Sequence, residues 1–341
     1  MKVLLTGHLG YIGTVLVPLL LAKGHEVVGL DSDLFRGSTF GGGMCSIPEL
    51  KQDIRDVVAS DLAGFEAVLH LAGLSNDPLG HFNPQLTDEI NHQATVRLAE
   101  LAKAAGVSRF VFSSSCSNYG AGGQDWLTED SPLNPMTPYG HSKADSEHSL
   151  NRLADDRFSP THLRNATAFG ASPRIRFDLV LNNLMAWAFT TGRVLIKSDG
   201  TPWRPIVHIE DIGRAFIAAM EAPREKIHAE AFNVGRNADN YRVREIADIV
   251  QETVPGCEIE YAAGGGPGPS CYRVDCSKIE RVLPEFQPQW DARKGAQQLL
   301  QAFHKVGLTL EEFEGPRYNR IDHVHDLIGR DRLSPLLRWQ D

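Results

Sequence analysis

The chain is 341 residues long, and its 42% hydrophobic and 23% charged content is ordinary for a globular protein. A formal net charge of −9 gives no basic footprint for nucleic acid, and no apolar run reaches the roughly 18 residues of a membrane span. The first residues run into a glycine loop with no room for a signal peptide, and the five cysteines form no Cys-x-x-Cys pair, so a cytoplasmic protein with free thiols and no metal site is expected.

Residues 2–6 (KVLLT) predict a short buried strand, followed by Gly7-His8-Leu9-Gly10-Tyr11-Ile12-Gly13 and an apolar helical pattern. Glycines at this spacing permit a tight turn and the close approach of a pyrophosphate, which the following helix N-terminus stabilises. A glycine triplet alone also fits a purely structural turn; the strand before it and the helix after it favour the ligand. His8 is unusual in such a loop. The second strand, EVVGLD (26–31), ends in Asp31. An acid there accepts hydrogen bonds from an adenosine ribose and repels a 2′-phosphate, favouring NAD over NADP.

Residues 34–50 read as loop, and Asp53 and Ile54 follow at the adenine end of the cofactor. The strand pattern AVLHLAG (67–73) ends in Leu71, Ala72 and Gly73, expected against the cofactor, with Ser75, Asn76 and Asp77 near the substrate. A helix from about 84 to 106 carries Asn91. Then RFVF (109–112) empties into Ser113, Ser114 and Ser115. About two dozen residues later comes Tyr139-x-x-x-Lys143, with Pro138 where a helix begins. Positions i and i+4 share a helix face, so both side chains can enter one site. A neighbouring ammonium lowers a tyrosine pKa, and Ser115 at the strand end can bond the same substrate oxygen. The trio suits proton transfer at a sugar hydroxyl while a hydride moves elsewhere. Strands alternating with helices predict an α/β fold, a Rossmann-type doubly wound parallel sheet with ligands at its carboxyl ends.

TGHLGYIG (6–13), Asp31, DIRD (53–56), HLAG (70–73), Asn91, SSSCSNYG (113–120), YGHSK (139–143), NNLM (182–185), RPIVHIEDI (204–212), FNVG (232–235) and VDCSK (274–278) occur in this order. In these motifs the chain resembles the extended short-chain dehydrogenases/reductases of the NAD-dependent nucleotide-sugar epimerase/dehydratase group. The resemblance runs to about residue 300. It implies that Gly7, Gly10, Tyr11, Ile12 and Gly13 hold the NAD pyrophosphate, Asp31 the ribose, and Asp53 and Ile54 the adenine. Leu71, Ala72, Gly73 and Asn91 would line the cofactor, and Lys143 would touch its nicotinamide ribose beside Tyr139. Ser115, Tyr139 and Lys143 would be catalytic. A nucleotide-diphosphate sugar would be held by Ser75, Asn76, Ser117, Asn118, Thr167, Arg174, Asn183, Arg204, Arg273 and Asp275. The resemblance also implies a homodimer, paired through helices near 92–106 and 141–155.

Arginines at 164, 174, 176, 204 and 273 supply the positive charge that such a ligand needs, with Arg176 read as a surface salt bridge. Trp203 is read as core. The expected cofactor domain is 1–166 with 204–222, read as a strand and helix returning to the sheet. A smaller C-terminal substrate-binding lobe is 167–203 with 223–300, in which GGGPGP (264–269) reads as a loop over the substrate. Residues 301–341 form a helix-prone extension, whose His323 and His325 are read as packing rather than metal-binding.

Departures from the family select the reaction. The family's 4,6-dehydratases carry Asp-Glu directly after the catalytic hydroxyl residue, and related decarboxylases carry a Glu where this chain has Ser117. Here Cys116-Ser117 follows Ser115. Elimination then lacks its acid/base, and Cys116 is read as a packed thiol. The expected enzyme is an NAD-dependent nucleotide-sugar epimerase working through a transient keto-sugar. The alternative is an NAD(P)H-dependent ketoreductase of a nucleotide-linked keto-deoxysugar; a non-catalytic NAD-bound scaffold fits less well.

Overall fold

In the computed structural model, which describes residues 1–121, 125–262 and 271–340, the chain runs β1 (Lys2–Thr6), α1 (Gly13–Ala22), β2 (Glu26–Asp31), β3 (Glu49–Lys51), β4 (Ala67–His70), α2 (Ala94–Ala104), β5 (Arg109–Ser115), α3 (Pro138–Leu153) and β6 (Ser159–Asn165). It continues through β7 (Thr167–Phe169), α4 (Val180–Thr191), β8 (Trp203–His208), α5 (Ile209–Glu221), β9 (Glu230–Val234), β10 (Asn240–Arg242), α6 (Val243–Thr253), α7 (Ala292–Val306) and α8 (Arg320–Gly329). Among the described residues, seven strands form one parallel sheet in the order β9-β6-β5-β4-β1-β2-β3.

Both faces of this sheet are covered, which explains the near-continuous apolar strands. Val3 and Leu5 point to one side, where Leu16 and Leu20 of α1 meet Ile212 and Phe216 of α5. Leu4, between them, points to the other side, into a core with Val68, Phe110, Phe112, Leu98 of α2 and Leu150 of α3. Gly213 of α5 allows the first packing: a Cβ there would lie 2.7 Å from Leu19. A separate apolar cluster joins α4, α6 and α7 around Ile246, Ala296 and Phe303, and forms the smaller lobe with the β10-β8-β7 sheet.

Three boundaries differ from the sequence reading. The strand that returns to the large sheet is β9, expected in the smaller lobe; β8 pairs with β7 and β10, while α5, with Val207 of β8, packs back on the main domain. Its alternation, EAFNV, reads equally well in either lobe. The expected 34–50 loop closes into the edge strand β3. The expected helix over 84–106 is interrupted by a wider π-turn at Glu89–Gln93, ahead of α2. Trp203 is half-buried, not core, with the guanidinium groups of Arg242 and Arg273 each 5.0 Å from its ring. The glycine loop at 264–269 lies outside the described residues. His323 packs against Phe35, and His325 against Phe82.

Two buried histidines make the fold acid-sensitive. His70 bridges Thr6 and Thr95 at 2.7 Å each, and burial pulls its pKa down to about 3. Burial likewise pulls His162, between β5 and β9, down to about 4. An unfolded histidine titrates near ~6.5, so below that pH the unfolded chain binds protons that the folded chain refuses. Their contribution is therefore complete above pH ~6.5 and declines toward pH ~4, by about 1.4 kcal/mol per pH unit for each histidine. Urea denaturation at pH 7 and pH 5 should show lower stability at pH 5, with a shallower decline in His162→Gln. Equal stability at both pH values would contradict the assignment.

Candidate active site

The glycine loop leaves β1 by a left-handed turn at Gly7 (φ 74°), whose amide donates to Leu30 O at 2.8 Å. A Cβ on Gly7 would meet Ala72 N at 2.7 Å, and one on Gly13 would meet Gly7 O at 2.2 Å. The loop therefore lies flat against the turn after β4. Asp31, at the end of β2, accepts the amides of Leu9 (3.0 Å) and Asp33 (2.8 Å), fixing its carboxylate beside the loop. Tyr11 is anchored through its hydroxyl, which donates to Gly170 O (2.8 Å) and accepts from Asn182 Nδ2 (3.0 Å). His8 is held by packing and one polar contact. Its ring lies over Gly29, where a Cβ would come within 2.5 Å, and its Nε2 meets Glu49 of the edge strand at 3.1 Å.

Around this loop opens a cavity of about 710 Å³ at the carboxyl ends of the strands. Gly7, Gly10, Tyr11, Ile12, Gly13, Asp31, Asp53, Ile54, Leu71, Ala72 and Gly73 all line it. Asp53 also accepts a forked pair from Arg55, which lowers its pKa against the opposing effect of burial. Asn91 is a correction. It does not line the cavity; its Oδ1 accepts from Leu74 N (2.7 Å) and its Nδ2 donates to Leu74 O (2.9 Å). The π-turn aims it there, so Asn91 holds the Gly73–Leu74 backbone and reaches the cavity only through it.

Ser115, Tyr139 and Lys143 meet on one wall. Thr137 caps α3 by accepting from Gly140 N at 3.1 Å, with Pro138 in the first turn, as the sequence predicts. Lys143 Nζ donates to Ser113 O (2.8 Å) and lies 4.6 Å from the Phe112 ring centre and 5.8 Å from that of Tyr139. Burial pulls the Lys143 pKa down to about 7, opposed by Glu147. Burial raises Tyr139 above its ordinary value, and the opposing pull comes from Arg176 and the Ser115 hydroxyl. The sequence assigns that pull to Lys143, which does not supply it here.

Of the residues expected to hold substrate, Ser75, Asn76, Ser117, Thr167, Asn183 and Arg204 line the cavity. Four others do not. Asn118 is fully buried and donates to Glu147 and Ser114 at 3.1 Å each. Arg174 pairs with Asp33 at 2.8 Å, behind the adenosine side. Arg273 stacks on Trp126 and Trp203, and Asp275 accepts from Ser277 N at 2.7 Å. Arg164 is also turned inward, onto Glu147 at 2.7 Å. Conversely, Arg176 is not a surface residue: it lines the cavity with Asp178, Tyr272 and Arg320, all overlooked in the sequence. Arg174 and Arg176 stand two residues apart in an irregular stretch, where spacing carries no rule for which one faces inward.

The cradle that any Cβ at Gly7 or Gly13 would fill, with an acid at the end of β2, fits a dinucleotide. With Tyr139 and Lys143 on the same cleft, the class is an extended short-chain dehydrogenase/reductase, an enzyme whose cofactor is NAD. The profile of the NAD dependent epimerase/dehydratase family matches residues 3–235, and the chain belongs to that family. It is 31% identical over 334 residues to a UDP-glucose 4-epimerase of Bacillus subtilis, covering 88% of this chain and 94% of that one. The structure of MoeE5 in complex with UDP-glucose and NAD superposes with a TM-score of 0.77 at 26% identity, covering 90% of this chain and all (100%) of that one. A dTDP-glucose 4,6-dehydratase from Streptomyces venezuelae, DesIV with NAD bound, gives a TM-score of 0.77 at 25% identity over 92% of this chain and 100% of that one.

Replacing Asn91 by Ala strips both partners from a buried peptide group. Urea denaturation of the variant should show a loss of about 1–3 kcal/mol, with a lower NAD content on purification. Unchanged stability would mean that the Gly73–Leu74 turn stands without it.

Proposed function

We propose that the protein is a nucleotide-sugar epimerase, inverting a sugar hydroxyl through a transient ketone. One observation carries the reading: the cleft joins Ser115, Tyr139 and Lys143 but has no carboxyl group at either position after Ser115. Cys116 is buried, its thiol donating to Arg164 O at 3.1 Å, with its pKa pushed up by burial. Ser117 faces the cleft and donates its hydroxyl to Ser115 Oγ at 2.9 Å. Loss of water or carbon dioxide needs a group that ionises near neutrality, which neither residue supplies. The similarity to UDP-glucose 4-epimerases supports the same reading over that of the dehydratase neighbour.

Bound NAD supplies the acceptor, and then the donor, of a hydride at the sugar carbon. Gly7, Gly10, Gly13, Asp31, Leu71 and Ala72 would hold it. Tyr139 takes the proton of the sugar hydroxyl at its phenolic oxygen and returns it once the ketone has turned over. Ser115 orients that oxygen. Lys143, fixed on Ser113 O, faces the Tyr139 ring, while Arg176 and the Ser115 hydroxyl favour the ionised form of that tyrosine against its burial. Asn183 and Arg204, which line the cavity, would hold the nucleotide diphosphate, and Thr167 the sugar end.

Incubation with UDP-glucose and other nucleotide hexoses, without added cofactor, should yield a stereoisomer at unchanged total sugar. Tyr139→Phe should lower kcat by about 10²–10⁴-fold while leaving bound NAD in place. Release of water or carbon dioxide, or stoichiometric consumption of NADH, would replace this reading. We also infer a homodimer through α2 and α3, which pack side by side and expose Arg97, Glu100, Asp145 and His148. Analytical ultracentrifugation should then give twice the chain mass, and a monomer would end this inference.

A further inference from the structure

The C-terminal extension lies beyond the stretch 3–235 that the family profile matches, yet it builds part of the cleft. α8 begins with Arg320, whose guanidinium lies over the Phe35 ring at 4.1 Å. Its Nη1 approaches Ser75 Oγ to 3.5 Å, and Arg176 Nη1 approaches the same hydroxyl to 3.3 Å. Two guanidinium groups thus converge on one neutral side chain. Asp178, the neighbouring carboxylate, is engaged by the Arg176 fork at 3.0 and 2.6 Å and by Asn76 at 3.1 Å. Among the described residues Arg320 has no carboxylate within 4.0 Å. Burial, with repulsion from Arg176 and Arg174, pulls its pKa down to about 9 against the more distant attraction of Asp178.

A half-enclosed guanidinium with no carboxylate in contact is costly, and an anion seated on it removes the cost. Forked N–H donors suit phosphate oxygens in particular. The topology says which phosphates. The sheet order places β1 between β4 and β2; Ser75 follows β4, Phe35 follows β2, and the glycine loop follows β1. Arg320 therefore stands over the loop where a dinucleotide's diphosphate belongs. The tail fastens it there, since Trp339 Nε1 donates to Ser32 O at 2.6 Å and Arg55 Nη2 to Leu336 O at 3.0 Å.

We propose that Arg320 is a ligand of the cofactor's diphosphate, supplied by the C-terminal extension and acting beside Arg176. The proposal rests on NAD as the cofactor and is independent of the reaction that follows. Two measurements on Arg320→Ala and Arg320→Lys test it: titration calorimetry of NAD into protein stripped with charcoal, and of UDP into NAD-loaded protein. Arg320→Ala should weaken NAD binding about 10–100-fold with UDP affinity unchanged, and should not lower the thermal midpoint of the NAD-free protein, because it removes one of two like charges. Arg320→Lys keeps the charge and the stem over Phe35 but loses the fork, so NAD should weaken several-fold at an unaltered midpoint. NAD affinity equal to wild type in Arg320→Lys, or a loss confined to UDP, would overturn the proposal. The latter would assign Arg320 to the substrate's diphosphate. Wild-type epimerisation, or its failure, would stand apart from either result.

Discussion

The cleft wall that carries Tyr139 and Lys143 is braced by one buried ion pair, Glu147 with Arg164. Tyr139, Lys143 and Glu147 follow one another at four-residue steps along α3, so they form one stripe facing the sheet. Glu147 anchors the inner end of that stripe. It accepts Arg164 Nε and Nη2, at 3.1 and 2.7 Å, together with Asn118 Nδ2 and the Ser114 hydroxyl. Arg164 in turn donates to Tyr119 at 2.9 Å, and Tyr119 to Asn233 of β9 at 2.7 Å. One network therefore spans β5, α3, β6 and β9. Two charges so deep in the protein are tolerable only because their hydrogen-bonding capacity is nearly filled. The same carboxylate acts on Lys143 four residues earlier, resisting the loss of its proton on burial. Position and charge at the wall share one cause.

Buried pairing also explains why not every arginine of an acidic chain reaches the cleft. Arg164 and Arg174, which composition alone offers as ligand-binding charges, are consumed inside the fold by Glu147 and Asp33. What remains at the cleft is Arg176, Arg204 and Arg320, contributed by three distant segments. His70, beneath the same wall and held neutral by burial, adds no further positive charge near Lys143.

The legible parts were those with a local rule. Alternating strands and helices, the glycine loop, the acid at the end of β2 and the i, i+4 step of α3 each follow from neighbours within a few residues. The parts that were not legible depend on meetings across the chain. β9 joins the sheet beside β6, about seventy residues earlier, and nothing in EAFNV names that edge over the smaller lobe. Asn91 and Asn118 are polar residues beside expected ligands, but each satisfies a buried group instead: a peptide for one, a carboxylate for the other. Arg320 meets Ser75 from 245 residues away, so no pattern around either residue announces the other.

The short 3-10 turn over Cys116–Tyr119 decides which side chains the chemistry can use. The Ser115 hydroxyl caps that turn by accepting Ser117 N at 3.1 Å. Successive residues of so tight a turn point in different directions. Cys116 and Tyr119 are sent into the core under the sheet, while Ser117 is left on the cleft side. The Cys116 thiol is fully buried, on Arg164 O at 3.1 Å. An acid at 117 would face the sugar directly. The identity of that single cleft-facing residue, a hydroxyl already bonded to Ser115, is thus a stronger guide to the reaction than the neighbouring cysteine. On the proposed reading, Tyr139 is then the proton carrier on this wall, and a ketone that takes its hydride back is favoured over one that loses a neighbouring group.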